Sequence, residues 1–255
     1  MNFKPLTQLR SLILCGGLLL GPPAQAAAGR PAETNTTLQL AVRFHIIADL
    51  VMDKNGLKMD SWVTEKDISK IILPEVNRIW HAAHIAFTLE QVLPARALNP
   101  PDKQQLIAAI VSARRDESGK SDPARVKNLH KLISFDKDNP QVINVYLVPY
   151  MGETSQGVTI PQRKRVIVGQ WSDKATHASQ APEKFQLTEQ GAFKKGSFSR
   201  TLAHELGHVL GLKHPDKNDQ KEFDLLMGGK RPGCRLTPEE IKTAQQQARS
   251  LRSPA

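Results

Sequence analysis

The sequence predicts an α+β fold, and three observations predict it. Alternating or continuous apolar runs of strand length recur from residue 38 to residue 169. Between and after them lie segments whose apolar residues recur every three or four positions, the helical period. Turn and cap residues stand at the junctions.

The elements follow in chain order. Leu38 to Ala48 alternates and carries Val42, Phe44, Ile46 and Ile47, a strand in which His45 reads as a satisfied or surface histidine. Asp53-Lys54-Asn55-Gly56 is a turn. Thr64-Glu65-Lys66-Asp67 starts a helix, with Ile68, Ile71, Ile72, Val76, Ile79 and Trp80 at helical spacing and His81 and His84 near its end. Ile85 to Val92 is the second strand. Residues 94–140 are polar and charge-mixed and read as an insertion with two helices, Asp102–Arg114 and Pro123–Ile133. Val142 to Val148 is a short run that is apolar except for Asn144 and reads as a buried strand. Gln156 to Pro161 reads as a short strand at the sheet edge, and Arg165 to Gly169 as another, behind a solvated turn at Arg163-Lys164-Arg165. Residues 172–197 are loop-like; Ser197 or Ser199 then caps a helix. A final helix starts with Thr237 as cap and Pro238 as its first residue.

Bulk properties set the context. Lys4 and Arg10, the apolar run Ser11–Leu20 and Ala24-Gln25-Ala26 together read as a secretory signal peptide over residues 1–26, too short for a membrane span. Cleavage there leaves 229 residues: a leader over 27–37 and one domain over 38–255. The formal charge of +10 falls to +8 without Lys4 and Arg10, and solvated lysines account for it. No aromatic interleaving accompanies the basic residues, so no nucleic-acid partner is expected. Cys15 leaves with the signal peptide, and Cys234, then alone, can form no intrachain disulfide. The expected product is a monomer that is secreted or periplasmic.

The chemistry is concentrated in His204-Glu205-Leu206-Gly207-His208-Val209-Leu210-Gly211-Leu212-Lys213-His214. His204 and His208 are four apart, one turn along a single helix face, so two imidazoles converge on one metal ion. Glu205 is rotated about 100° from His204 around the axis, where a carboxylate flanks the metal without ligating it. A straight helix would carry His214 away. Gly211 ends it by taking the left-handed conformation that glycine adopts at little steric cost, and His214 can then turn back as third ligand. Three neutral ligands with one open position suit zinc and are the catalytic arrangement, which brings the pKa of water down to about 7. Glu205 is then the group to take the proton as water attacks a carbonyl.

HExxHxxGxxH resembles the signature of the metzincin clan of zinc metalloproteases. The clan also has a methionine turn beneath the metal, and Leu225-Leu226-Met227-Gly228-Gly229 stands where it should, with Met227 as its floor. The resemblance is specific from about residue 198 to 240 and topological from 38 to 170. It implies a metzincin-like zincin catalytic domain, a mixed twisted sheet with an active-site helix and a small C-terminal lobe. It implies a zinc metalloendopeptidase with one catalytic Zn2+ and a protein or peptide substrate; a calcium requirement is left open. Substrate would lie along the edge strand, which makes Gly157, Val158 and Thr159 candidate substrate-backbone residues. Pro215 resembles the serralysins, but Gly229 stands where those carry a tyrosine, so matrixin-, serralysin-, pappalysin- and adamalysin-like assignments stay open. Two other readings use the same residues: an exported zinc-binding or interaction module without turnover, and a hydrolase of cell-wall peptide.

Overall fold

A computed structural model describes residues 36–47, 49–54, 56–94, 100–112, 122–133, 141–151, 157–160, 164–172, 183–184, 197–215, 224–228 and 233–252. The proposed signal peptide, the leader to residue 35, Gly229 and the charged segment 216–223 lie outside the described residues.

Among the described residues the frame is a six-stranded sheet. Strand β1 (Leu38–Ile46) lies between β4 (Ile85–Pro94) and β5 (Ile143–Tyr150), parallel to both. Beyond β5 comes β7 (Arg165–Ser172), also parallel, and then β6 (Gly157–Ile160), antiparallel on β7 and at the end of the order β4-β1-β5-β7-β6. A two-residue strand, β8 (Glu183–Lys184), pairs with the far end of β7. The apolar run at 142–148 does form the buried strand, with every residue of β5 buried.

Successive side chains of a strand point to opposite faces, and the two faces feed two cores. Val42 and Phe44 of β1, Val145 and Leu147 of β5 and Val168 of β7 enter the larger one. It is closed by α2 (Leu73–Trp80), α5 (Phe198–Val209) and α6 (Pro238–Arg252). Tyr146, Val148 and Ile167 enter the other, covered by α3 (Pro100–Ser112), α4 (Pro123–Ile133) and residues of the small hairpin of β2 (Met52–Lys54) and β3 (Leu57–Met59). The segment read from sequence as an insertion thus supplies one wall of the second core. His45 is on that face, buried, stacked on Tyr146 with ring centroids 4.4 Å apart and joined through Nε2 to Asn144 Oδ1 at 3.0 Å.

Two local predictions need correction. Sequence periodicity predicts an unbroken helix from Thr64. Thr64 does open it with a capping box, its hydroxyl accepting from Asp67 N–H while Asp67 accepts from Thr64 N–H. However, α1 is only Glu65–Asp67, and Ile68–Ile72 forms a π-helical turn before α2. Pro74 explains this: it has no N–H to give to the carbonyl four residues back, and its ring crowds that carbonyl. The ladder widens instead, and Leu73 N–H reaches Ile68 O. The second correction concerns α5. Ser197 is its N-cap residue but makes no side-chain capping bond, and Ser199 Oγ, buried in the first turn, has no hydrogen-bond partner among the described residues. The first turn of α5 is held by packing, with both serines buried beside Phe198. Thr237, by contrast, caps α6 as expected, and Glu240 makes the cap reciprocal by accepting from Thr237 N–H.

Candidate metal centre

Helix α5 lies against α2 and β6, so its inward face is apolar and its other face carries the histidines. His204 and His208 are one turn apart, with ring centroids separated by 4.9 Å. The helix then stops at a built signal. Gly211 has φ +81°, Gly211 N–H donates to His208 O, and Leu212 N–H reaches back to Gly207 O. Those two bonds are the Schellman motif, which needs a left-handed residue at the position glycine occupies. The reversal brings His214 to 5.0 Å from His204 and 4.8 Å from His208, centroid to centroid. One nitrogen from each ring falls within 4.8 Å of the others.

The orientation of the rings is set from behind. His204 Nδ1 is 2.9 Å from Leu226 O, and His208 Nδ1 is 2.9 Å from Leu212 O. A carbonyl only accepts, so both Nδ1 atoms carry a proton, and in a neutral ring this leaves the lone pair on Nε2. His204 Nε2 then faces His214 Nε2 at 3.0 Å. Desolvation pushes His204 down to about 3, against the raising effect of the Leu226 carbonyl, and the neighbouring His208, His214 and Arg200 lower it further. His204 is therefore neutral at pH 7. One nitrogen of each of the three rings thus converges on a single point. A tetrahedral zinc with bonds of about 2.0–2.1 Å separates its nitrogen ligands by about 3.3–3.4 Å. The donor set fits a divalent cation of that kind.

The floor is formed by the chain returning through Leu225–Gly228. Leu226 N–H donates to Arg235 O and Arg235 N–H to Asp224 O, which ties this return to residues 233–235. Met227 is buried beneath α5. A Cβ on Gly207 would lie 2.7 Å from its sulfur, so the close approach requires glycine inside the helix. The reading from sequence passed over Gly207, although an interior glycine at a cost of about 1 kcal/mol against alanine is a signal of close packing.

Arg200 was also missed. Its Nη2 donates to Leu226 O at 3.2 Å and its Nε to Gly233 O at 2.9 Å, so the carbonyl that orients His204 is itself gripped by a guanidinium. Burial lowers the pKa of Arg200 from its ordinary value, with a smaller opposing effect from Cys234. The signal was available: Arg200 is four before His204 and so on the same helix face.

Glu205 projects from the flank of the histidine face that meets β6 and is buried. Its carboxylate meets β6: Thr159 Oγ1 is 2.7 Å from Glu205 Oε2, and a Cβ on Gly157 would fall 2.7 Å from Glu205 Oε1 and Cγ. Of the three candidate substrate-backbone residues, Gly157 and Thr159 therefore touch Glu205, while Val158 packs toward the second core. Cys234 is half-buried near Arg78 and Arg200, with its thiol pushed up by desolvation.

No protein-family model and no curated protein matches the sequence. Among solved structures the chain is similar to Tannerella forsythia mature mirolysin in complex with a cleaved peptide. The identity is 12%, the alignment covers 86% of this chain and 99% of that one, and the TM-score is 0.44. So distant a likeness adds nothing to the geometry above.

Proposed function

We propose that the chain is a secreted or periplasmic zinc endopeptidase of metzincin type that hydrolyses peptide bonds. The observation that carries the reading is the convergence of His204, His208 and His214 at the end of α5, with Glu205 on the same helix. His204 Nε2, His208 Nε2 and a nitrogen of His214 would hold the ion, and the carbonyls of Leu226 and Leu212 keep the first two rings in the tautomer that can bind it. Zinc, when bound, supplies a Lewis acid that polarises the scissile carbonyl and acidifies water. Glu205 accepts the proton of the attacking water on its carboxylate and later hands it to the leaving amine nitrogen. Its burial excludes bulk water from that transfer. Met227 is a packing floor and not a ligand. Substrate backbone would add along β6, at residues 157–159, as a further strand.

The test is cleavage of a quenched-peptide library by the purified mature protein with zinc analysis beside it. One zinc per chain is expected. Glu205→Ala should retain zinc and lose at least about a hundredfold in kcat, the low end of what a positioned base contributes. His214→Ala should lower zinc occupancy. Zinc bound with no cleavage of any peptide would favour the binding module, and cleavage confined to cell-wall peptide would redefine the substrate. The N-terminus of the exported protein should begin at Ala27.

A further inference from the structure

Strand β6 frames the Glu205 carboxylate from two sides. Residues two apart on a strand share a face, and Gly157 and Thr159 both turn to α5, while Val158 and Ile160 pack toward the second core. Thr159 Oγ1 lies 2.7 Å from Glu205 Oε2 and 3.0 Å from the Glu205 carbonyl oxygen. Both partners are acceptors and the hydroxyl has one proton, which the charged oxygen attracts more strongly. On the other side, a Cβ on Gly157 would sit 2.7 Å from Cγ and Oε1 and 2.8 Å from Cδ of the same side chain. The carboxylate thus occupies a slot that one strand residue opens and another closes with a hydrogen bond.

We infer that Thr159 is a positioning residue: its hydroxyl, bonded to Oε2, holds the Glu205 carboxylate in the orientation from which it accepts the proton, and Gly157 leaves the room that this orientation needs. The inference rests on the reading of Glu205 as the proton acceptor. It also gives β6 a second duty, since the strand along which a substrate backbone would lie is the one that aims the base.

The test uses Thr159→Val, which keeps shape and strand propensity and removes the hydroxyl, with Thr159→Ser and Gly157→Ala beside it. In zinc-loaded protein Thr159→Val should lower kcat by about tenfold or more, as misplacement of a reacting group by a fraction of an ångström does. KM and zinc per chain should stay within about twofold of wild type, the split expected when the base is misaimed in the transition state and ground-state binding is unchanged. Thr159→Ser should recover kcat to within a few-fold, and Gly157→Ala should lose kcat because its methyl displaces the carboxylate. Wild-type kcat in Thr159→Val, a change in KM alone, or failure of serine to rescue would overturn the inference. Crystal structures of the zinc-loaded wild type and Thr159→Val decide it without any turnover: Glu205 should leave its single conformer in the variant, and an unmoved carboxylate would overturn the inference. If the wild type cleaves no peptide, the proposed function fails, and the position of Glu205 in the two crystals still settles the role of Thr159.

Discussion

Gly207→Ala sets helix propensity against packing at the floor of the metal centre. Alanine is favoured over glycine in a helix interior by about 1 kcal/mol. Against this, the new Cβ would lie 2.7 Å from Met227 Sδ, 3.4 Å from Met227 Cε and 3.5 Å from Trp80 Cζ2. An ordinary contact is about 3.5–4.0 Å, so the sulfur must withdraw by about 1 Å. It has nowhere simple to go. Met227 is 1% exposed and Trp80 0%, and the Trp80 indole is held by a 3.3 Å bond to Ala203 O. Overpacking of this kind costs about 1–3 kcal/mol, which leaves a net loss of up to about 2 kcal/mol after the propensity gain. In a chain of this size each kcal/mol moves Tm by about 2–4 °C. The disturbance also reaches the metal centre, because Leu226, next to Met227, supplies the carbonyl that orients His204. Zinc affinity should fall about tenfold or more, as it does when such supporting bonds are lost. Thermal unfolding of the metal-free protein by circular dichroism and a zinc titration against a competing chelator would measure both. A Tm raised by about 2–4 °C with zinc affinity intact would refute the reasoning.

Three further predictions concern the surrounding supports. Arg200→Lys should weaken zinc binding by about 10–100-fold in the same chelator titration, since a lysine cannot span the Leu226 and Gly233 carbonyls as the guanidinium fork does. Gly211→Ala should lower Tm and zinc affinity together: Thr243 Cγ2 at 3.7 Å leaves space, but the left-handed backbone costs about 1–2 kcal/mol for a residue with a Cβ. Cys234 should react with iodoacetamide at pH 8 more slowly than the same thiol in urea, because desolvation holds it protonated. As an acid whose folded pKa is raised, its contribution to stability is present below the unfolded pKa and is lost as pH rises through the folded one. Equal alkylation rates in the folded and unfolded protein would contradict the burial argument.

What sequence could show depended on how local the cause was. His204 and His208 were legible because the spacing of four is a property of one helix, and His214 through Gly211, because a single residue type serves a helix end that turns back. The capping boxes at Thr64 and Thr237 are four-residue events and were equally readable. Pro74 was just as local and was overlooked, since the apolar period continues through it and hides the missing donor. The hairpin of β2 and β3 was visible only as its turn, its strands being three residues each.

The supports of the site are of another kind. Leu226 O receives His204 and Arg200 across 22 and 26 residues of chain, and Glu205 meets Thr159 across 46. No period in the sequence marks such pairs. They exist because β6 and the 224–228 return are both packed on α5, one on each side of its histidine face. Yet each leaves a trace once the helix is granted: a cation four residues before the first histidine, a glycine inside the helix, and a glycine and a hydroxyl two apart on the facing strand. Each trace is a residue type that the local element does not require. An argument from local rules can therefore locate the supports of a site by asking which residues those rules leave unexplained.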